Sequence, residues 1–295
     1  MKLRMKYINR KIISKLFFFS FCIIIFGYNL LNLNYKISVI SLIFKAWYYI
    51  IPTYNRGNII ENTIKSTLNQ TYKNLEVIII DDGSTDNTKE IIDKFDDKRI
   101  KYIKINENLG GSNARNIGIK HATGRFISFQ DSDDIFYPNK LELQFNNMIN
   151  QNSNLDFCKI KVIYNNSYYN FVPNEYQEKK IIRRKIFSDL IAHGNFISTQ
   201  SILVRKKFIE KYLFDINMPR LQDYDVILRM IPNVKISYTR KVLVELHIQK
   251  DSIQNSNEKL IKAIYILLKK NFKFNRNQKK KFTDYLNRIL KEHLS

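Results

Sequence analysis

The 295-residue chain is poor in the residues that mark several protein classes. It has two cysteines, Cys22 and Cys158, and four histidines. Two cysteines are too few for a disulfide scaffold or for a cysteine-rich structural zinc site. Eight glycines and five prolines exclude collagen-like and low-complexity architectures. No G-x-G-x-x-G turn and no Walker lysine motif occurs, so the usual glycine-rich phosphate cradles are missing. Zinc-finger spacing, an RNP signature and basic-zipper heptads are missing too, so nucleic acid is not an expected partner. Acidic residues are also scarce: 27 Asp+Glu face 49 Lys+Arg, a formal net charge of +22. Such a surplus suits an anionic membrane surface or phosphorylated ligands. The alternative is compositional drift, because Lys, Ile, Asn and Tyr are over-used along the whole chain.

Residues 1–45 differ in character from the rest of the chain. Lys2, Arg4, Lys6, Arg10, Lys11 and Lys15 precede the apolar run Leu16–Tyr28. A basic start and an apolar stretch resemble a signal anchor, and no small-residue cleavage site comes after them. The run falls short of the about 20 apolar residues that a span requires, and Asn29, Asn32, Asn34 and Lys36 interrupt its extension. A membrane-associating segment lying in the interface is the expectation, with a buried helix as the alternative. Basic residues ahead of the run keep the N-terminus cytoplasmic, so a spanning run would send the rest of the chain outside. A short run lying in the interface instead leaves it membrane-associated on the cytoplasmic face, which is the expected location. Residues 256–295 read as a basic helical tail, with Leu260, Ile261, Ile264, Leu267 and Leu268 opposite many lysines.

From Ala46 onward, short apolar runs alternate with helical periodicity. Trp47–Ile51, Val77–Ile80, Ile100–Ile105, Phe126–Phe129 and Asp156–Tyr164 read as strands. Ile59, Ile60, Thr63, Ile64, Thr67 and Leu68 share a helical face; Thr85–Lys94 and Asn113–Ala122 are further helices, and another carries Leu141, Phe145 and Met148. This alternation predicts an α/β fold: a Rossmann-like, mostly parallel sheet flanked by helices. The Asn-, Tyr- and Lys-rich segment Asn165–Lys185 reads as a loop or hairpin.

Three polar clusters come directly after apolar strands: Pro52-Thr53-Tyr54-Asn55-Arg56, Asp81-Asp82-Gly83-Ser84 and Asp131-Ser132-Asp133-Asp134. Each alone is ordinary turn chemistry. Three at the carboxyl ends of parallel strands favour a ligand site. Asp131 and Asp133 are two apart, so they share a face at a strand end. Crowded carboxylates repel unless a proton or cation intervenes, and hard oxygen donors select Mg²⁺ or Mn²⁺ bridging to substrate phosphates.

The series IIPTYNR, STLNQTYKNLEVIIIDDGSTDNT and NLGGSNARNIGIKHATGRFISFQDSDD closely resembles the family 2 glycosyltransferases, with matching order and spacing over Ile50–Gln144. A weaker likeness runs through NFISTQSILVRK and LQDYDVILRM to Ser252-Ile253. The resemblance implies the A-type glycosyltransferase fold: one catalytic domain, 46–255, with a nucleotide-sugar half (46–134), an acceptor half (135–255) and the helical tail. It implies inverting transfer of a sugar from a nucleotide-diphosphate donor to a glycan or lipid-linked acceptor, as in polysaccharide or lipopolysaccharide synthesis. By motif, Pro52, Thr53, Tyr54, Asn55 and Asp82 would hold the nucleobase and ribose, and Arg115 the phosphates or the base edge. Asp131 and Asp133 form the D-x-D element that holds Mn²⁺ or Mg²⁺, and Asp133 is the direct ligand. The general base falls on Asp223, with Asp225 as its rival; Gln222 departs from the Glu often found there. His247, ahead of Asp251-Ser252-Ile253, is either at the metal or structural. Asp134 is either part of the site or a cap for the next helix. A catalytically inactive sugar-nucleotide-binding or membrane-scaffold protein of the same fold is the alternative reading.

Overall fold

Strict alternation builds the centre of the sheet. In β1 (Trp47–Thr53), Trp47, Tyr49 and Ile51 enter one apolar cluster, while Tyr48 and Ile50 enter the other. β2 (Leu75–Asp81) does the same with Val77 and Ile79 against Ile78 and Ile80. A strand buried on both faces must be apolar throughout, and helices must cover each side. The computed structural model of the protein describes residues 47–164, 168–182, 186–248 and 256–294. The chain divides into two units, Met1–Phe44 and Lys45–Ser295, and the described residues all belong to the second. The apolar run Leu16–Tyr28 and the segment Asp251-Ser252-Ile253 lie outside the described residues. Among the described residues, no helix is long and apolar enough to cross a membrane.

β1 pairs in parallel with β2 and with β4 (Phe126–Phe129), and β2 with β3 (Ile100–Lys104). Helices α1 (Ile60–Leu68), α2 (Thr88–Asp93) and α3 (Gly111–His121) connect these strands. The order β3-β2-β1-β4 reverses direction between β1 and β4, and a crevice opens at such a switch point. Gly118 lets α3 lie directly on β1; a Cβ there would stand 2.4 Å from Ile50 Cγ2.

The second half extends the same sheet. β4 is flanked by antiparallel β8 (Ile202–Arg205), then come β6 (Leu155–Tyr164), β9 (Ile236–Ile248) and the short β5 (Ile135–Phe136). β6 and β9 are parallel, and β7 (Tyr168–Val172) adds an antiparallel hairpin to β6. Helix α4 (Lys140–Asn150) comes after β5; α5 (Glu175–Ile182), α6 (Ile186–His193), the short α7 (Lys206–Ile209) and α8 (Gln222–Met230) come later in the chain. The C-terminal stretch forms two helices, α9 (Asn257–Lys269) and α10 (Arg276–Leu294). The sheet is thus mixed α/β, parallel through its first four strands, as the alternation predicts. The segment expected to be a loop or hairpin holds both the β6–β7 hairpin and helix α5. Asn174 and Gln177 explain the helix: each side chain accepts the other's backbone N–H, at 3.0 and 2.9 Å, a reciprocal cap. Asn275 and Gln278 repeat that cap, both at 2.9 Å, and start α10 anew after α9.

Candidate active site

The loops after β1 and β2 are laced together. Asn55 sits at φ 52°, a left-handed conformation that Asn tolerates better than most residues. Its amide donates to Ser84 Oγ (2.9 Å), and its side-chain carbonyl accepts from the amides of Thr85 (2.9 Å) and Asp86 (3.4 Å). Tyr54 beside it stands 41% exposed, an aromatic ring facing solvent at the crevice edge. Pro52 is partly buried, and Thr53 is buried with a hydroxyl that has no hydrogen-bond partner. The two carboxylates that end β2 serve different loops. Asp81 accepts from Ser84 N (2.7 Å) and from the Tyr102 hydroxyl (2.5 Å); burial, then this hydrogen bond, push the phenol's proton affinity up. Asp82 accepts from Leu109 N (2.9 Å) and Gly110 N (2.7 Å), fastening the glycine turn that opens α3. Gly83 at φ 83° permits this approach, since a Cβ would come 2.9 Å from the Glu107 carbonyl carbon.

The aspartate cluster lies just past β4, across the switch point. Asp131 receives Arg115 Nη2 on one oxygen (2.5 Å) and Gln200 Nε2 on the other (2.5 Å). Arg115 also donates to Gln222 Oε1 (3.1 Å) and lies over the Phe214 ring at 5.6 Å. Thr63 and Gln130 shape the turn by donating to the carbonyls of Ser132 and Asp134. Asp134 is 1% exposed, and it caps no helix, because α4 starts only at Lys140. Its Oδ1 accepts from His247 N (3.3 Å), while its Oδ2 is buried without a partner. Burial, then the charges of Asp133 and Asp131, push its proton affinity well above the ordinary carboxylate range. The His247 N–H contact brings that residue of β9 to Asp134, next to Asp133.

α8 begins under strain. Leu221, a bulky residue at φ 59°, occupies the left-handed region at a cost of about 1–2 kcal/mol. The turn places Gln222 against Arg115 and starts the helix with Asp223 beside it. Asp223 Oδ1 accepts from Tyr224 N (2.8 Å). Burial raises its pKa from 3.8 to about 6; the Tyr224 amide and the Arg115 charge oppose that rise, and the Asp131 charge adds to it. Asp225 has another task. It is fully buried and accepts from Arg229 (2.8 and 3.0 Å) and from Lys270 Nζ (2.6 Å), tying α8 to the residue just past α9.

The fold therefore gathers Asp131, Asp133, Asp134, Arg115 and His247 at one edge, with Asp223 electrostatically coupled to them. Asp82 and Asn55 hold the adjoining loops. Gln200 is a further member that local sequence patterns do not mark, because it reaches Asp131 across 69 residues. Among the described residues, no group of three or more His, Cys, Asp or Glu side chains is arranged to hold a metal by itself. The carboxylate donors and the orphaned Asp134 Oδ2 nonetheless fit a hard divalent cation whose remaining ligands come from elsewhere.

An open α/β sheet with acidic and polar side chains at its switch point is the architecture of nucleotide-sugar transferases of the A type. Comparison with known proteins agrees. The chain belongs to the family "Glycosyl transferase family 2", whose model matches residues 48–213. An uncharacterised glycosyltransferase of Rickettsia typhi is 33% identical over 214 residues, 70% of this chain and 65% of that protein, so the chain spans less than two thirds of that relative. The Escherichia coli UDP-Glc:alpha-D-GlcNAc-diphosphoundecaprenol beta-1,3-glucosyltransferase WfgD is 43% identical over 118 residues, 40% of this chain and 47% of that one. The Staphylococcus aureus TarS 1–349 complex with UDP shares the fold, with a TM-score of 0.64 at 23% identity over 83% of this chain and 72% of that one.

Proposed function

We propose that the protein is an inverting glycosyltransferase, moving a sugar from a nucleoside-diphosphate donor to an acceptor hydroxyl in polysaccharide or lipopolysaccharide assembly. The observation that carries this reading is Asp223. It is a carboxylate with its pKa raised to about 6, set one residue after the Gln222 that Arg115 binds, while Arg115 also grips Asp131. In this reading Pro52, Thr53, Tyr54 and Asn55, with Asp82, frame the base and ribose, and Arg115 neutralises the phosphates. Asp131 and Asp133, with His247 at their edge, would hold Mn²⁺ or Mg²⁺. A bound ion there supplies charge neutralisation to a departing diphosphate. Asp223 Oδ1 is held by Tyr224 N–H, so Oδ2 takes the acceptor's hydroxyl proton as the oxygen attacks the anomeric carbon. The bond from that carbon to the diphosphate breaks on the opposite face, which inverts the centre.

WfgD, by its name, acts on a diphosphoundecaprenol-linked sugar; a lipid-linked acceptor is proposed for this chain on the same grounds. The net charge of +22 and the lysines of α9 and α10 support a peripheral position on the cytoplasmic face of an anionic membrane. Vesicle flotation that survives a high-salt wash would contradict an electrostatic attachment. Nucleoside diphosphate release from a panel of UDP- and GDP-sugars with Mn²⁺ tests the activity. Release from at least one donor is expected, and silence across the panel would leave the inactive binding protein as the reading.

A further inference from the structure

A groove of about 500 Å³ runs between the entry to α8 and the outer turns of α10. Arg220 and Arg288 face it, with His293 at one end and Glu292 as the acidic member of its lining. Leu221 and Ile289 supply apolar wall beside the two guanidinium groups. Arg220 donates to the Ser256 carbonyl (3.3 Å), and among the described residues no ion pair ties it to a carboxylate. Partial burial alone lowers its proton affinity. A half-buried guanidinium that holds one backbone carbonyl keeps further N–H donors for an anionic ligand. Arg288 is exposed and lies over the Tyr285 ring, 5.6 Å from its centroid, a weak cation–π contact. Tyr285 in turn sits against Gly194 at φ 90°, where a Cβ would stand 1.9 Å from the phenol oxygen. The groove wall is thus locked onto the end of α6.

The groove's position gives it meaning. Arg220 and Leu221 run straight into Gln222 and Asp223, so the groove wall continues into the turn that carries the proposed base. In the proposed reading the donor's own phosphates belong at the aspartate cluster and Arg115, none of which lines this groove. Two guanidinium forks with apolar wall between them suit a phosphate ester that continues into hydrocarbon.

We infer that this groove is the acceptor subsite, and that Arg220 and Arg288 bind the diphosphate of a lipid-linked sugar, presenting its hydroxyl to Asp223. This rests on the glycosyltransferase reading and adds the acceptor's charged group to it.

The test uses the full chain in excess chelator, titrated calorimetrically with inorganic pyrophosphate. Wild type is expected to bind, Arg288→Gln to lose about tenfold in affinity, and Arg220→Gln/Arg288→Gln to lose binding altogether. Lys281→Gln, which removes the same charge from α10 outside the groove, should bind like wild type. Equal binding by wild type and the double variant overturns the inference, as does equal loss in Lys281→Gln. Flotation with phosphatidylcholine vesicles identifies the source of the phosphate. Doping with farnesyl diphosphate should recruit wild type but not Arg288→Gln. If phosphatidylglycerol recruits it equally through Arg288, the groove reads lipid headgroups and the acceptor assignment falls. UDP binding by wild type with Mn²⁺ is measured alongside. Its failure would count against the glycosyltransferase reading and leave the groove result standing.

Discussion

Replacing Asp223 with Asn separates catalysis from stability. An aspartate that ordinarily titrates at 3.8 and in the folded chain at about 6 disfavours its charged form; because the residue is partly exposed, solvent screening leaves about 1–3 kcal/mol of that cost. The folded state binds this proton more tightly than the unfolded chain. Stability therefore falls as pH rises from about 4 to about 6, and the whole cost is present at pH 7. Asn keeps the shape and cannot ionise, so Asp223→Asn should be about 1–3 kcal/mol more stable than wild type at pH 7, raising Tm by several degrees. The advantage should vanish near pH 4, where the wild-type carboxyl is protonated. Transfer should drop by about 10²–10⁴, the usual worth of a general base, with donor affinity nearly unchanged. The same pKa predicts that wild-type kcat/KM loses about tenfold per pH unit below about 6. The assay pairs thermal melts at pH 4 and 7 with nucleoside diphosphate release. A variant that melts below wild type at pH 7 and retains most of its transfer rate would refute the reasoning.

Asp225→Asn is the contrasting case: it leaves Arg229 and Lys270 without their shared carboxylate and should cost about 3 kcal/mol in denaturant unfolding. Its activity per folded molecule should stay near wild type. Gly118→Ala pushes a methyl against Ile50 and should cost about 1–3 kcal/mol by overpacking, read as a lower denaturant midpoint.

The first half of the fold is legible because β1, β2 and β4 are buried on both faces and so read as continuous apolar runs such as Val77–Ile80. The edge strand β3 shows as alternation. β9 hides from such a pattern. Its sequence ISYTRKVLVELHI is interrupted by exposed Arg240 and Lys241, and the pairing with β6 shifts register at Lys159 and Ile160. The Asn-x-x-Gln caps at Asn174 and Asn275 are local signals that an Asn-rich background drowns. In the site, Asp131, Asp133 and Asp223 announce themselves by motif. Gln200 does not, because its role arises only when β8 is laid beside β4. Asp134 is not the helix cap that its place in the sequence also allows: its burial against Asp131 and Asp133 makes it part of the charged cluster.

The central claim is that the carboxylates after β4 bind a nucleoside diphosphate through a divalent cation. Calorimetric titration of UDP and GDP into wild type and Asp133→Asn, each with Mn²⁺ and with excess chelator, tests it most directly. At least one nucleotide should bind wild type with Mn²⁺, and chelator or Asp133→Asn should weaken binding by at least about tenfold while the variant keeps its fold. Equal affinity in all four conditions, or no binding by either nucleotide, would contradict it.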